Sequence, residues 1–264
     1  MVNLLVAAAL AAASPAQVPA PPPAEPAMFV VRDSDTTIFI FGTFHALDGK
    51  DQWFGEKVRD AFEQSGELVL ETLIPERPAD VAQVPAALRV PSVTPSASFL
   101  ATTRMAINAG RAQGMQVDNG ADMILRRQAE AEGKPVEGLE TLQFQLNMFN
   151  HMPPSAPVPG GRATASAADQ GMDRLTVAMG QMQAAWKRGD QSVFVNMLGQ
   201  LKAASPQTYR MMFTERNARW ADWIRARLRT PGTVFVAVGA GHLAGSDSLL
   251  VQLAERGIAS QRVN

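Results

Sequence analysis

Four side chains that could bind a metal ion or move a proton follow short apolar segments of the chain. They are His45, Glu71, Glu140 and His242. The chain has 3 histidines, and the two in this group, His45 and His242, each follow a glycine in the same Gly-x-x-His pattern. Two neutral imidazoles with one or two carboxylates suit zinc, manganese, iron or cobalt better than calcium. The set therefore indicates a site for one divalent metal ion.

The expected ligands are His45, His242 and Glu71. A metal held by them would polarise a substrate carbonyl and lower the pKa of a bound water to roughly 7. A second carboxylate, Glu140, could then act as general base, so we count both glutamates as candidate catalytic residues. The spacing is also open to a structural interpretation. A histidine at a strand end is usually a structural hydrogen-bonding group, and a glutamate there often caps the next helix.

Arg216 is the third candidate catalytic residue. It lies inside the apolar stripe of a long predicted helix, which contains Tyr209, Met212, Phe213, Trp220, Trp223 and Ile224. A buried guanidinium requires acceptors because its unpaired burial is very costly, so we expect it to pair with Glu71 or Glu140. It would then orient a catalytic carboxylate or bind substrate. The alternatives are a structural ion pair and a side chain that reaches the surface.

The elements that must position these residues alternate between strands and helices. Strands are predicted at 28–33, 36–42, 67–72, 134–140 and 233–239, with a last edge strand at 261–263. Helices are predicted at 53–64, 98–114, 120–133, 141–149, 171–188, 190–203, 205–229 and 248–256, the last one capped by Ser246 or Asp247. This order predicts an α/β fold with a mixed, mostly parallel central sheet, flanking helices and a helical insertion. Ligands in such sheets bind outside the carboxyl ends of the strands, where the four side chains would meet.

Composition excludes several classes of function. The chain has no cysteine, which removes disulfides, thiolate zinc sites, iron–sulfur clusters and a cysteine nucleophile. A formal net charge of −1 gives no electrostatic case for binding nucleic acid or an anionic membrane surface. The chain also lacks a Walker motif, the Rossmann glycine pattern and the Gly-x-Ser-x-Gly nucleophile elbow.

The N-terminus is typical of an exported protein. Residues 4–13 are wholly apolar and are followed by small residues, which predicts a signal peptide over 1–16. Residues 17–27 form a proline-rich spacer, and 28–264 a single domain. The apolar run is shorter than the roughly 20 residues of a membrane span, so we expect no transmembrane segment after cleavage and a periplasmic or secreted protein. The alternative is a short buried helix.

Seven stretches resemble the TraB/GumN (TraB/PrgY/GumN) family and cover nearly everything from about residue 35 onward. They are Phe41–Leu47, Trp53 with Ala61 and Phe62, Glu67–Thr72, Gly133–Thr141, Trp186 with Gly189 and Asp190, Glu215–Asn217 with Trp220, and Phe235–Gly245. Residues 73–118 and 151–170 match only weakly. The resemblance implies a fold related to Tiki-type metalloproteases and erythromycin-esterase-like proteins.

In Tiki-type members, paired Gly-x-x-His motifs and a glutamate are associated with metal-dependent peptide hydrolysis. The resemblance carries this role to His45, His242 and Glu71, with Glu140 and Arg216 in support. We therefore expect an exported metal-dependent hydrolase, with peptidase activity as the specific case, acting on a peptide or small molecule. The alternatives are a non-catalytic periplasmic protein that sequesters a peptide, haem or metal, and a polysaccharide-export accessory, suggested by the GumN name alone.

Overall fold

The computed structural model describes residues 24–50, 52–73, 97–153 and 165–263, with only the backbone described for 97–103 and 165–170. The expected signal peptide, 1–16, and most of the expected spacer, 17–27, lie outside these ranges. The fold and the site are those of the described residues.

A single six-stranded sheet organises the described chain. Its strands are β1 (Met28–Arg32), β2 (Thr36–Thr43), β3 (Glu67–Thr72), β4 (Val136–Glu140), β5 (Gly232–Gly239) and β6 (Gln261–Arg262). They lie in the order β4-β3-β5-β2-β1-β6. The four strands from β4 to β2 are parallel, and β1 pairs antiparallel with both β2 and β6. The mixed, mostly parallel sheet is therefore confirmed.

Helices cover both faces of this sheet and fill the long connections. They are α1 (Glu56–Gln64), α2 (Ala97–Ala112), α3 (Ala121–Ala131), α4 (Leu142–Asn150), α5 (Ala165–Lys187), α6 (Ser192–Ala204), α7 (Pro206–Tyr209), α8 (Glu215–Arg227) and α9 (Leu249–Glu255). Five of them, α4 to α8, lie between β4 and β5, which is the predicted helical insertion. None of the described helices has the length and apolar character that crossing a membrane requires.

The central strand β5 shows why the sequence is continuously apolar there. Val234, Val236 and Val238 face one core, and Phe235 and Ala237 face the other. A strand that is buried on both faces needs no polar side, as is usual in a parallel sheet. One core contains Trp186 and the other Trp220, both almost fully buried.

Two local expectations are corrected by the structure. The last helix is capped by neither Ser246 nor Asp247, because the hydroxyl of Ser248 accepts the N–H of Val251 at 3.3 Å. The predicted helix 205–229 is interrupted by a π-helical turn at Arg210–Thr214, between α7 and α8. A π turn accommodates one extra residue per turn, and the apolar spacing of the sequence does not reveal it.

Candidate active site

The four side chains predicted to converge do lie at one edge of the sheet. Glu71 and Glu140 lie in the last two residues of β3 and β4, and His45 follows β2 by two residues. His242 lies in a short 3-10 turn, Ala240–Leu243, directly after β5. Because β4, β3, β5 and β2 are adjacent and parallel, their carboxyl ends form one continuous edge. We call the space above this edge the crevice.

Arg216 is buried and joins three of these residues, as its place in the apolar stripe predicts. Its Nε donates to Glu140 at 2.9 Å, and its Nη2 donates to Glu71. Nη2 also lies 2.8 Å from Oε2 of Glu140 in an ion pair. Its Nη1 lies 3.3 Å from Nε2 of His242 and also 3.3 Å from the Met212 carbonyl oxygen. The predicted pairing with Glu71 or Glu140 is therefore confirmed, and it involves both glutamates at once.

Glu140 is held by donors on nearly every side. Besides Arg216, the indole N–H of Trp220 donates to its Oε1 at 3.2 Å, and Nη2 of Arg219 donates to the same oxygen at 3.3 Å. Only 3% of its side chain is exposed. Glu140 thus fixes the guanidinium of Arg216, and its carboxylate does not face open solvent.

Glu71 keeps one oxygen closer to the crevice. Its Oε1 accepts from Arg216 and from the side-chain amide of Gln145, the latter at 3.2 Å, and its Oε2 accepts the N–H of Gly239 at 3.3 Å. Burial opposes ionisation, but the nearby charge of Arg216, helped by His242 and His45, outweighs it and lowers the pKa of Glu71 to about 2. Glu71 is therefore a carboxylate at neutral and mildly acidic pH.

His242 is buried and electrically neutral. Its Nδ1 lies 2.7 Å from Oδ1 of Asn217, and its Nε2 lies 4.0 Å from Oε2 of Glu71. Burial is the main cause that lowers the pKa of His242 to about 3, and the positive charge of Arg216 acts in the same direction. Glu71 opposes this shift without reversing it. A neutral imidazole keeps one lone pair for a ligand or a hydrogen bond.

His45 differs from His242 in exposure and in charge. Its side chain is 60% exposed, and its Nδ1 lies 3.2 Å from Oδ1 of Asp122, in the first turn of α3. Partial desolvation lowers the pKa of His45, but the hydrogen bond and charge of Asp122, with the charge of Glu71, raise it above 6.5. Water screens part of this attraction because the ring is exposed. The other ring nitrogen, Nε2, points into the crevice.

Gly239 marks the point where these groups converge. A Cβ built on Gly239 would lie 3.3 Å from Nε2 of His45, 3.5 Å from Oε2 of Glu71 and 3.7 Å from Cδ2 of His242. Its φ of −52° and ψ of 135° are accessible to any residue, so glycine is not required here by backbone geometry. Its missing side chain instead leaves a small space, which we call the Gly239 cradle.

The chemistry of the groups around this cradle fits a divalent metal, although they are not gathered around one. Within the described ranges, no three His, Asp or Glu side chains are close enough together to hold an ion as they stand. The imidazole of His45 and Oε2 of Glu71 already face the cradle, whereas Nε2 of His242 contacts Arg216. A site with two imidazoles and a carboxylate would therefore require His242 to release that contact. Two imidazoles and one glutamate are a common catalytic zinc set.

Several residues of the site were not found from the sequence. Asp122 stands in a helical first turn, where aspartate is common for reasons of the helix dipole alone. Gln145 is a polar residue on a helix and interrupts no apolar pattern. Asn217 is buried on the apolar face of α8, four residues after Phe213 and three before Trp220, but its uncharged amide is a weaker signal there than the guanidinium of Arg216. Trp220 was identified as a core residue, and its hydrogen bond to Glu140 has no sequence signature.

The chain was compared with models of known protein families. The model described as "TraB/PrgY/gumN family" matches residues 27–106 and 89–262. No curated protein matches the chain, and neither does any solved structure.

Proposed function

Since this chain belongs to the TraB/PrgY/gumN family, we propose that it is an exported metal-dependent hydrolase, with peptides as the specific substrate class. The observation that carries the proposal is the Gly239 cradle. Side chains from the ends of three adjacent parallel strands surround it within 3.7 Å of a single point. The Tiki-type resemblance of the two Gly-x-x-His motifs supports the same function.

His45, Glu71 and His242 would hold the metal ion. When bound, such an ion polarises a substrate carbonyl and activates a water molecule. The chain's own residues prepare the donors: Arg216 keeps Glu71 ionised, and burial keeps His242 neutral. Metal ligands need these protonation states.

Glu140 and Arg216 support the site from behind. Both side chains are almost fully buried, at 3% and 4% exposed. They act as positioning residues, because Arg216 holds Oε1 of Glu71, Glu140 holds Arg216, and neither leaves a face of its own to the substrate. A general base other than Glu140 would therefore be needed.

One observation favours binding without turnover. The charges around the crevice balance without any metal once His45 is protonated, because the number of carboxylates then equals the number of cationic groups. The three carboxylates are Glu71, Glu140 and Asp122, and the three cationic groups are Arg216, Arg219 and His45. Sequestration of a ligand in the crevice is therefore the second candidate function.

Adding a methyl group to the cradle tests the proposal. Gly239→Ala places a carbon beside the side chains of all three proposed ligands, while Gly241→Ala, two residues away, places one 3.4 Å from the ring of Phe213 and beside none of them. We expect wild type and G241A to bind one Zn²⁺ or Mn²⁺ in calorimetric titrations of metal-stripped protein, and G239A to bind it at least tenfold more weakly. Hydrolysis of a fluorogenic peptide library should follow the same order and stop with a chelator.

The outcomes separate the two candidate functions. Metal binding that is lost in G239A, with no hydrolysis of any library member, would favour sequestration. A wild-type protein that binds neither metal at micromolar concentration contradicts the metal site, and hydrolysis that survives chelation contradicts its catalytic role.

Export is the remaining part of the proposal. It is supported by the apolar run over residues 4–13 and the small residues that follow it. We expect N-terminal sequencing of the protein from its native host to show a chain that begins after Ala13 or Ala16. An intact Met1 in a cytosolic fraction would contradict export.

A further inference from the structure

The buried ring of His242 contacts a different partner through each nitrogen. Nδ1 lies 2.7 Å from Oδ1 of Asn217, and Nε2 lies 3.3 Å from Nη1 of Arg216. The rings of Phe213 and Trp220 pack against it, with centroids 4.9 and 4.4 Å away. A neutral imidazole has one N–H donor and one lone pair, so its two neighbours decide which nitrogen carries the proton.

The hydrogen bond between Asn217 and Asp247 fixes the direction in which the amide group of Asn217 points. Nδ2 of Asn217 donates to the backbone carbonyl of Asp247 at 2.8 Å. A carbonyl oxygen only accepts, so the NH2 group must face Asp247, and reversing the amide would bring two oxygens together. Oδ1 is then the atom that faces His242, and it too can only accept. The hydrogen must therefore lie on Nδ1.

We propose that Asn217 is a positioning residue that fixes His242 as the Nδ1–H tautomer and thereby leaves the lone pair on Nε2, which faces Nη1 of Arg216 at the crevice. The opposite side of the ring agrees with this, because the guanidinium of Arg216 has donors only and cannot accept an Nε2–H. The role of that lone pair as a metal ligand rests on the proposed function. The assignment of the tautomer does not depend on the proposed function.

Removing Asn217 should reverse the tautomer. Without an acceptor at Nδ1, a buried N–H would be unsatisfied, which is costly. Oε2 of Glu71 lies 4.0 Å from Nε2 and can accept from that nitrogen once Nη1 of Arg216 gives up its contact, so the proton should move to Nε2. The lone pair would then lie on Nδ1 and face away from the cradle.

Nitrogen chemical shifts of ¹⁵N-histidine-labelled, metal-free protein at pH 8 measure this directly. The chain has 3 histidines, and His151 is exposed, so His151→Gln assigns its signals and His45→Gln those of the other ring. We expect His242 to be protonated at Nδ1 in wild type. We expect protonation at Nε2 in Asn217→Leu and in the smaller acceptor-free variant Asn217→Ala.

Two results would overturn the inference. One is a wild-type His242 protonated at Nε2, which needs no variant to be observed. The other is an acceptor-free variant that retains the Nδ1–H tautomer, even with a lower unfolding temperature, because that result leaves Asn217 with a structural role alone. No metal or substrate is present in this experiment, so the tautomer can switch as expected even in a protein that binds no metal. The proposed role of Asn217 and the proposed metal-dependent function can therefore fail separately.

Discussion

The strongest single perturbation of the site is the removal of the Arg216 guanidinium. In Arg216→Met, the buried carboxylates of Glu71 and Glu140 lose their shared cation while the apolar packing of the helix is kept. Breaking a buried ion pair by removing one partner costs about 3–5 kcal/mol. We expect the free energy of unfolding at pH 7 to fall by that amount.

The pH dependence gives this prediction a specific sign. Burial raises the pKa of Glu71, and the charge of Arg216 reverses this and lowers it to about 2, below the ordinary 4.5. At about 1.4 kcal/mol per pKa unit, ionised Glu71 stabilises the fold by roughly 3 kcal/mol at neutral pH. This contribution is complete above pH 5 and is lost as the pH falls toward 2, with roughly 2 kcal/mol gone at pH 3. The stability gap between wild type and R216M should therefore narrow by about that amount between pH 7 and pH 3.

Urea unfolding followed by tryptophan fluorescence measures the gap at each pH, since Trp186 and Trp220 are buried in the two cores. The matched control is Arg225→Met on the same helix, where Arg225 pairs with Asp222 in the open, both about half-exposed. Exposed pairs contribute little, so the control should unfold close to wild type at every pH. A gap below 1 kcal/mol at pH 7, or one that stays constant down to pH 3, would refute the reasoning.

Two further pKa shifts can be measured on single groups. Burial and the hydrogen bond to Asp247 raise the pKa of Tyr209 to about 12. Because the chain has 1 tyrosine, absorbance near 295 nm should show one titration near 12 that returns to about 10 in urea. A midpoint at 10 in the folded protein would contradict the contact between Tyr209 and Asp247. In metal-free protein, NMR should show His45 titrating above pH 6.5. Asp122→Asn should lower that midpoint, because Asp122 supplies both the hydrogen bond and the largest attractive charge. An unchanged midpoint would show that the pair of His45 and Asp122 does not form in solution.

Topology explains why the site could be found from the sequence. Once Leu68–Leu70 and Val234–Val238 are identified as buried parallel strands, the residues that end them must share one sheet edge, whatever their distance along the chain. Arg216 was predicted for a different physical reason. A guanidinium in an apolar stripe must have acceptors, and the strand-end glutamates were the natural candidates.

The sequence could not predict the residues that touch the site from polar positions on helices. Asp122 and Gln145 violate no local pattern, because a polar side chain on a helix normally faces water. Asn217 lies on the apolar face of α8, but it has no charge that requires a particular partner. Their roles depend on where α3, α4 and α8 pack against the sheet, and that packing is set by contacts distant in the chain. The same limit applies to the cap of α9, where Ser246, Asp247 and Ser248 are all good capping types and tertiary contacts decide between them.

The π-helical turn at Arg210–Thr214 sets the relative direction of two attachments that one helix makes. Before the turn, Tyr209 is anchored to Asp247, and after it, Arg216 is anchored to the glutamates of the sheet edge. Each residue of an α-helix advances the side-chain direction by about 100°, so in a regular helix the seven residues from Tyr209 to Arg216 would point these two side chains in nearly the same direction. The π turn absorbs one extra residue and removes that alignment. A chain shortened by one residue within the turn should therefore regain a regular helix while both anchors stay in place. The turn is the point at which this helix can gain or lose a residue without changing its attachments to the sheet.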